Sequence, residues 1–156
     1  MFRLDGSTGK VARRIRLGTV AAYNIWVGGG SLWVADDQAA VIAGDAPERM
    51  VWLRGRLWIT GRGTDLLKVD PQTIDIGVSG IDVAGEGDSL WVPTRNAAVN
   101  QRGFPTMDAL KRVSATSGAV STVAQAADRV DVHGIAARAG VVWLADNTGG
   151  RLYRIA

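Results

Sequence analysis

Three observations predict an all-β fold assembled from repeated antiparallel units. A signature of aliphatic residue, Trp and aliphatic residue occurs four times in 156 residues, as Leu32-Trp33-Val34, Leu57-Trp58-Ile59, Leu90-Trp91-Val92 and Val142-Trp143-Leu144. A Gly-containing turn precedes each signature (Gly28 to Ser31, Arg54 to Arg56, Gly85 to Ser89, Arg138 to Gly140), and a short apolar segment precedes each turn. An alternating basic-aliphatic segment ending in a turn follows most copies. Repetition of this kind outranks local propensity, because one supersecondary unit recurs along the chain.

Taken in order, Phe2-Arg3-Leu4 is a short strand closed by the turn residues Asp5-Gly6-Ser7-Thr8-Gly9, and Val11 to Leu17 begins a β-rich stretch. Ile25, Met50 and Ile135 each lie eight positions ahead of a signature Trp, so that strand, tight turn and aromatic strand make a hairpin. Ile81 lies ten ahead of Trp91, with Gly85-Glu86-Gly87-Asp88 expected to absorb the extra pair. Leu67-Lys68-Val69-Asp70-Pro71-Gln72-Thr73 and Lys111-Arg112-Val113-Ser114-Ala115-Thr116-Ser117-Gly118 repeat the basic-aliphatic strand with its turn. Ile74 to Val78 and Val120 to Ala124 follow as outer strands, and Leu152-Tyr153-Arg154-Ile155 opens a further copy. A unit of four antiparallel strands, inner to outer, is the blade of a β-propeller.

The repeats are uneven. Successive signature Trp residues stand 25, 33 and 52 apart, against about 40–50 residues for known propeller repeats. After Trp33 only Ala40-Val41-Ile42-Ala43 remains for outer strands, and the unit before Trp91 is expected to lose part of its outer strand around Ile74 to Ser79. Residues 97–108, with Gly103 and Pro105, are expected as a surface loop inserted in the third unit. The chain starts at the third strand of a unit and ends after one, and Val11 to Leu17 is a candidate for the missing outer strand of the last unit. The expectation is one domain over residues 1–156, all-β, of about three and a half propeller-type blades, forming an incomplete ring or a segment of a larger propeller.

Composition narrows the function classes. The chain has no cysteine, hence no disulfide framework, thiolate metal site or cysteine nucleophile. Its longest apolar runs are strand-sized, so no membrane span is expected. Met1-Phe2-Arg3-Leu4 enters a repeat strand directly and does not resemble a signal peptide, and compartment stays undetermined. The formal charge of +3 arises from 15 Arg and 3 Lys mixed with 15 acidic residues along the chain. The densest group, Arg13-Arg14-Ile15-Arg16, falls on an outer strand, where charge discourages edge pairing. Nucleic-acid binding is not expected, because the Trp residues sit at core spacing instead of interleaving with arginines.

The runs Gly30-Ser31-Leu32-Trp33-Val34-Ala35-Asp36, His133-Gly134-Ile135 leading to Val142-Trp143-Leu144-Ala145-Asp146-Asn147, and Arg3-Leu4-Asp5 followed by Ser7-Thr8-Gly9 resemble the virginiamycin B lyase-like and YVTN/NHL-type bacterial β-propellers. The resemblance covers nearly the whole chain outside 97–108. It implies a binding scaffold in most members and, in the lyase, a magnesium-assisted elimination by His and Glu side chains on one face of the ring. By that resemblance His133 matches the His-Gly-Ile motif, and Asp36 and Asp146 fall in the slot of the lyase acid. Thr94 and Gly61 occupy the slot in the other units. The chain has one His, and its two Glu, Glu48 and Glu86, lie outside the slot.

Blade geometry argues for a ligand face independently. Loops from the outer strand to the next inner strand, and from the second strand to the third, open on the same face. His133 begins an inner strand, while Asp36, Asp37, Arg62, Arg95, Asn96, Asp146 and Asn147 follow second strands. The simplest alternative for the Asp and Asn residues is turn chemistry, and for the Trp residues a buried anchor on the second strand of each unit. The leading expectation is a non-catalytic binding or interaction module for an unknown protein or small molecule, with self-association through its incomplete edges. The alternatives are a lyase or hydrolase of the virginiamycin B lyase type using His133 with Asp146, and a sensor domain detached from a larger receptor. No metal or cofactor is expected, magnesium entering only through the lyase resemblance.

Overall fold

The computed structural model describes residues 2–5, 7–14, 22–28, 31–36, 47–61, 66–69, 72–99 and 105–156, and within these every regular element is a β-strand. Fifteen strands form five small antiparallel sheets, none of them closed. A two-stranded ribbon pairs β1 (Phe2–Leu4) with β2 (Val11–Arg14). Sheet I pairs β3 (Ala22–Gly28) with β4 (Ser31–Asp36). Sheet II runs β5 (Pro47–Leu53), β6 (Arg56–Gly61), β7 (Leu66–Val69) and β8 (Gln72–Asp75). Sheet III runs β9 (Ala84–Glu86), β10 (Ser89–Val99), β11 (Pro105–Ser114) and β12 (Val120–Val130), and sheet IV runs β13 (Val132–Arg138), β14 (Val141–Asp146) and β15 (Arg151–Ile155).

The four hairpins that carry the Trp signatures share one pairing pattern. Each closes through two residues, with Gly28 opposite Ser31, Leu53 opposite Arg56, Glu86 opposite Ser89 and Arg138 opposite Val141. Arg54–Gly55 and Ala139–Gly140 both have φ of 52° and 74°. Two successive left-handed residues are the turn whose twist matches that of the flanking strands. At the far end each hairpin slips by one residue. The slip leaves Tyr23, Glu48 and His133 outside the pairing, and in sheet III it separates the pair Ala84–Trp91 from the bridge Gly80–Thr94. The third hairpin therefore needs no enlarged turn. The residue eight ahead of Trp91 is the buried Val83, and Ile81 corresponds instead to His133.

Pairing across β6, β10 and β14 places the signature Trp on one face and its two aliphatic neighbours on the other. Successive sheets use these two faces in one direction. Trp26 of sheet I packs on Met50, Leu57 and Ile59 of sheet II. Trp58, with Val51, Leu53 and Ile74, packs on Val83, Leu90, Val92 and Val113 of sheet III. Trp91, with Met107 and Leu110, packs on Val142, Leu144, Ile135 and Tyr153 of sheet IV. The strands β3, β5, β9 and β13 approach one another in that order.

Several expectations require correction. Trp58 is fully buried, but Trp91 is only half-buried, and Trp143 is 37% exposed on a face of sheet IV that no other described sheet is seen to cover. The shortened outer strand expected around Ile74 to Ser79 is seen: β8 ends at Asp75, and residues 76–79 are not in a strand. Residues 97–99 and 105–108, expected in a loop, extend β10 and β11, with Val99 opposite Pro105 and with Thr106 and Met107 buried. Strand β2 pairs with β1 and not with β15. Residues 40–43 lie outside the described residues.

Candidate functional site

The register slip in sheet IV displaces His133 from the ladder at the start of β13. A bulge of this kind re-aims a side chain without ending the sheet. The imidazole is half in solvent, and its Nε2 lies 3.4 Å from Oδ1 of Asp131, a carboxylate that is 2% exposed. The other oxygen of Asp131 accepts a hydrogen bond from the Thr148 hydroxyl at 3.0 Å, and its backbone carbonyl accepts one from the Asn147 N–H at 2.9 Å. Asp131 thus ties the entry of β13 to the β14–β15 turn and holds the imidazole from behind.

Asp146, also buried, faces the turn rather than the imidazole. Its Oδ1 accepts from the backbone N–H groups of Asp131 (3.3 Å), Thr148 (3.1 Å) and Gly149 (3.1 Å). A Cβ at Gly149 would clash with Asp146 Oδ2, so a side chain there would push this carboxylate out of its place. Three amide donors satisfy one buried oxygen, which is how a carboxylate is kept in a nearly dry position.

The other expected positions are spread over the same ends of the hairpins. Asp36 closes β4 opposite Ala22, as Asp146 closes β14 opposite Val132. Gly61 and Thr94 take that place in sheets II and III. Arg95 is half-buried on β10, its backbone N–H bonded to the Ser79 carbonyl, and β10 approaches β13. Asn96 follows it on the same strand, and Asn147 is exposed in the β14–β15 turn. Asp37 and Arg62 lie outside the described residues. His133 and Asp146 are therefore neighbours through Asp131 and do not face each other.

Asp131 and Thr148 are the members of this constellation that the sequence reading passed over. Asp131 stands between β12 and β13, and its role comes from the Thr148 turn folding back onto it. No group of three His, Asp or Glu side chains among the described residues is arranged to hold a metal ion. The chemistry on offer is that of a solvent-facing imidazole backed by a buried carboxylate, able to donate to or accept from a polar ligand at the mouth of the hairpin ends. No protein-family model matches the chain, and no curated protein matches it in sequence.

Proposed function

We propose that the chain is a β-propeller-type binding module, without catalytic activity of its own, that recognises its ligand at the bulged ends of the inner strands. The propeller part rests on the chain-order approach of β3, β5, β9 and β13 and on the one-directional packing of each sheet on the next. Antiparallel sheets of up to four strands, ordered inner to outer and packed in sequence, suit radial repetition about an axis. The resemblance to virginiamycin B lyase-like and YVTN/NHL-type propellers supports the same scaffold.

One contrast carries the binding function. Up to their turns the four hairpins share one pairing register, whereas at the bulged ends equivalent positions hold Tyr23, Glu48, Ile81 and His133 on one strand and Asp36, Gly61, Thr94 and Asp146 on the other. A constant frame with divergent residues at one end suits recognition. Asp131 already serves the imidazole and Asp146 the turn, which favours presentation of His133 to a ligand over metal-assisted elimination.

A fragment screen read by amide and imidazole NMR shifts tests this. Binding fragments are expected to perturb His133, Thr148 and Arg95 together, and hits confined to the turn ends near Gly55, Gly87 and Gly140 would contradict it. Magnesium titration in the same experiment is expected to leave the His133 resonances in place. A tight magnesium site lost in His133→Ala would move the assignment to the lyase alternative.

A further inference from the structure

Every junction between successive sheets joins the same two surfaces. The Trp face of one sheet lies on the aliphatic face of the next, and this happens three times. Among the described side chains, Trp143 at one end of the series and Ile25 at the other are exposed. On sheet IV, Trp143 is 37% exposed and Leu152 is 64% exposed on the same side, since Trp143 pairs across with Ala136 and Arg154, and Leu152 with Ala145. On sheet I, Ile25 is 46% exposed on the side opposite Trp26. Trp143 and Ile25 thus stand at the complementary positions of a junction that the chain already builds three times.

The geometry points to a second copy of this chain as the occupant of the Trp143 face, presenting the Ile25 side of its sheet I. Continuity with the internal junctions argues for this partner over an unrelated one. Trp143 stands where Trp58 and Trp91 stand, and Ile25 stands where Met50, Val83 and Ile135 stand. Apolar side chains grouped on one sheet face seldom stay in water on an isolated molecule. The Arg154 guanidinium, 5.9 Å from the Trp143 ring centroid, does not block the face, because Arg112 lies 5.6 Å from Trp91, which is packed against sheet IV. Two different surfaces meet in such a contact, so it is heterologous and extends from copy to copy until the rotation closes a ring.

Analytical ultracentrifugation of the whole chain, with folding of each variant checked by circular dichroism, gives the test. The wild-type chain at tens of micromolar is expected to sediment as dimers and larger species. Trp143→Asp and Ile25→Asp are each expected to weaken self-association at least about tenfold, a loss of about 1.4 kcal/mol. Mixed together they retain one intact Trp143 face and one intact Ile25 side, and they should form a 1:1 dimer that grows no further. Ile25→Lys replaces Ile25→Asp if the latter unfolds. Three outcomes overturn the proposal: a monomeric wild-type chain, a dimer abolished by Trp143→Asp but untouched by both Ile25 variants, and mixed variants that stay monomeric.

Discussion

Trp58 and Trp143 occupy the same position in their hairpins and differ in what covers them. Trp58 is 1% exposed, and its indole N–H donates to the Leu53 carbonyl at 3.2 Å, while Trp143 has Arg154 over its ring and solvent beyond. Trp58→Ala should therefore cost about 3–5 kcal/mol as a large-to-small core substitution, and Trp143→Ala less than about 1 kcal/mol in the dilute monomer. Urea denaturation of both variants checks the contrast, and equal losses would contradict it. At the other end of the chain, Asp5 Oδ1 accepts from the hydroxyl and backbone N–H of Ser7 and of Thr8. These donors, the Ser7 hydroxyl foremost, hold its pKa down to about 2 from 3.8. The folded value lies below the unfolded one, so the support Asp5 gives its turn is present above the unfolded pKa and is lost as pH falls through about 2. A carboxyl NMR titration is expected to show a midpoint near 2, whereas one at 3.8 would mean that the turn is not formed.

Hairpins are the elements on which the fold depends, and two substitutions probe them. Ala139 has φ of 52°, a conformation that favours Asn over Ala, and Ala139→Asn should raise stability by about 0.5 kcal/mol. A lower melting temperature would argue against this turn. A Cβ at Gly80 would come within 2.8 Å of Thr60 Cγ2 and 2.9 Å of Val92 Cγ1, so sheets II and III leave no room there. Gly80→Ala is expected to cost about 1–3 kcal/mol by overpacking, measured by thermal denaturation. Turn, strand and Trp were legible in the sequence because glycines and alternation are local signals. The register slip was not, because it emerges only when two strands are paired, and so Ile81 was matched to Met50 where Val83 belongs. Pro105 signalled a loop, yet pairing of Val99 with Pro105 and burial of Met107 against sheet IV keep residues 97–99 and 105–108 in strands. His133 and Asp146 were found by position. Asp131 was missed because its role depends on the Thr148 turn folding back onto it.

Across the whole molecule the organising feature is direction. Each sheet offers a Trp face and receives on an aliphatic face, and at the turn ends the Glu86 carboxylate of sheet III accepts from the Ala139 and Gly140 N–H groups of the sheet IV turn. The central claim is that successive sheets pack face to face in chain order, and it is most directly tested by a cross-link between sheets II and III. A Cβ at Gly85 lies 3.4 Å from Leu53 Cβ, close to the roughly 3.5–4.5 Å that a disulfide spans, and the chain has no cysteine of its own. The double variant Leu53→Cys, Gly85→Cys is expected to oxidise within one molecule under air, seen as the loss of both thiols and faster migration on a non-reducing gel. Free thiols in the folded protein, or bridges formed only between molecules, would contradict the sequential packing of the sheets.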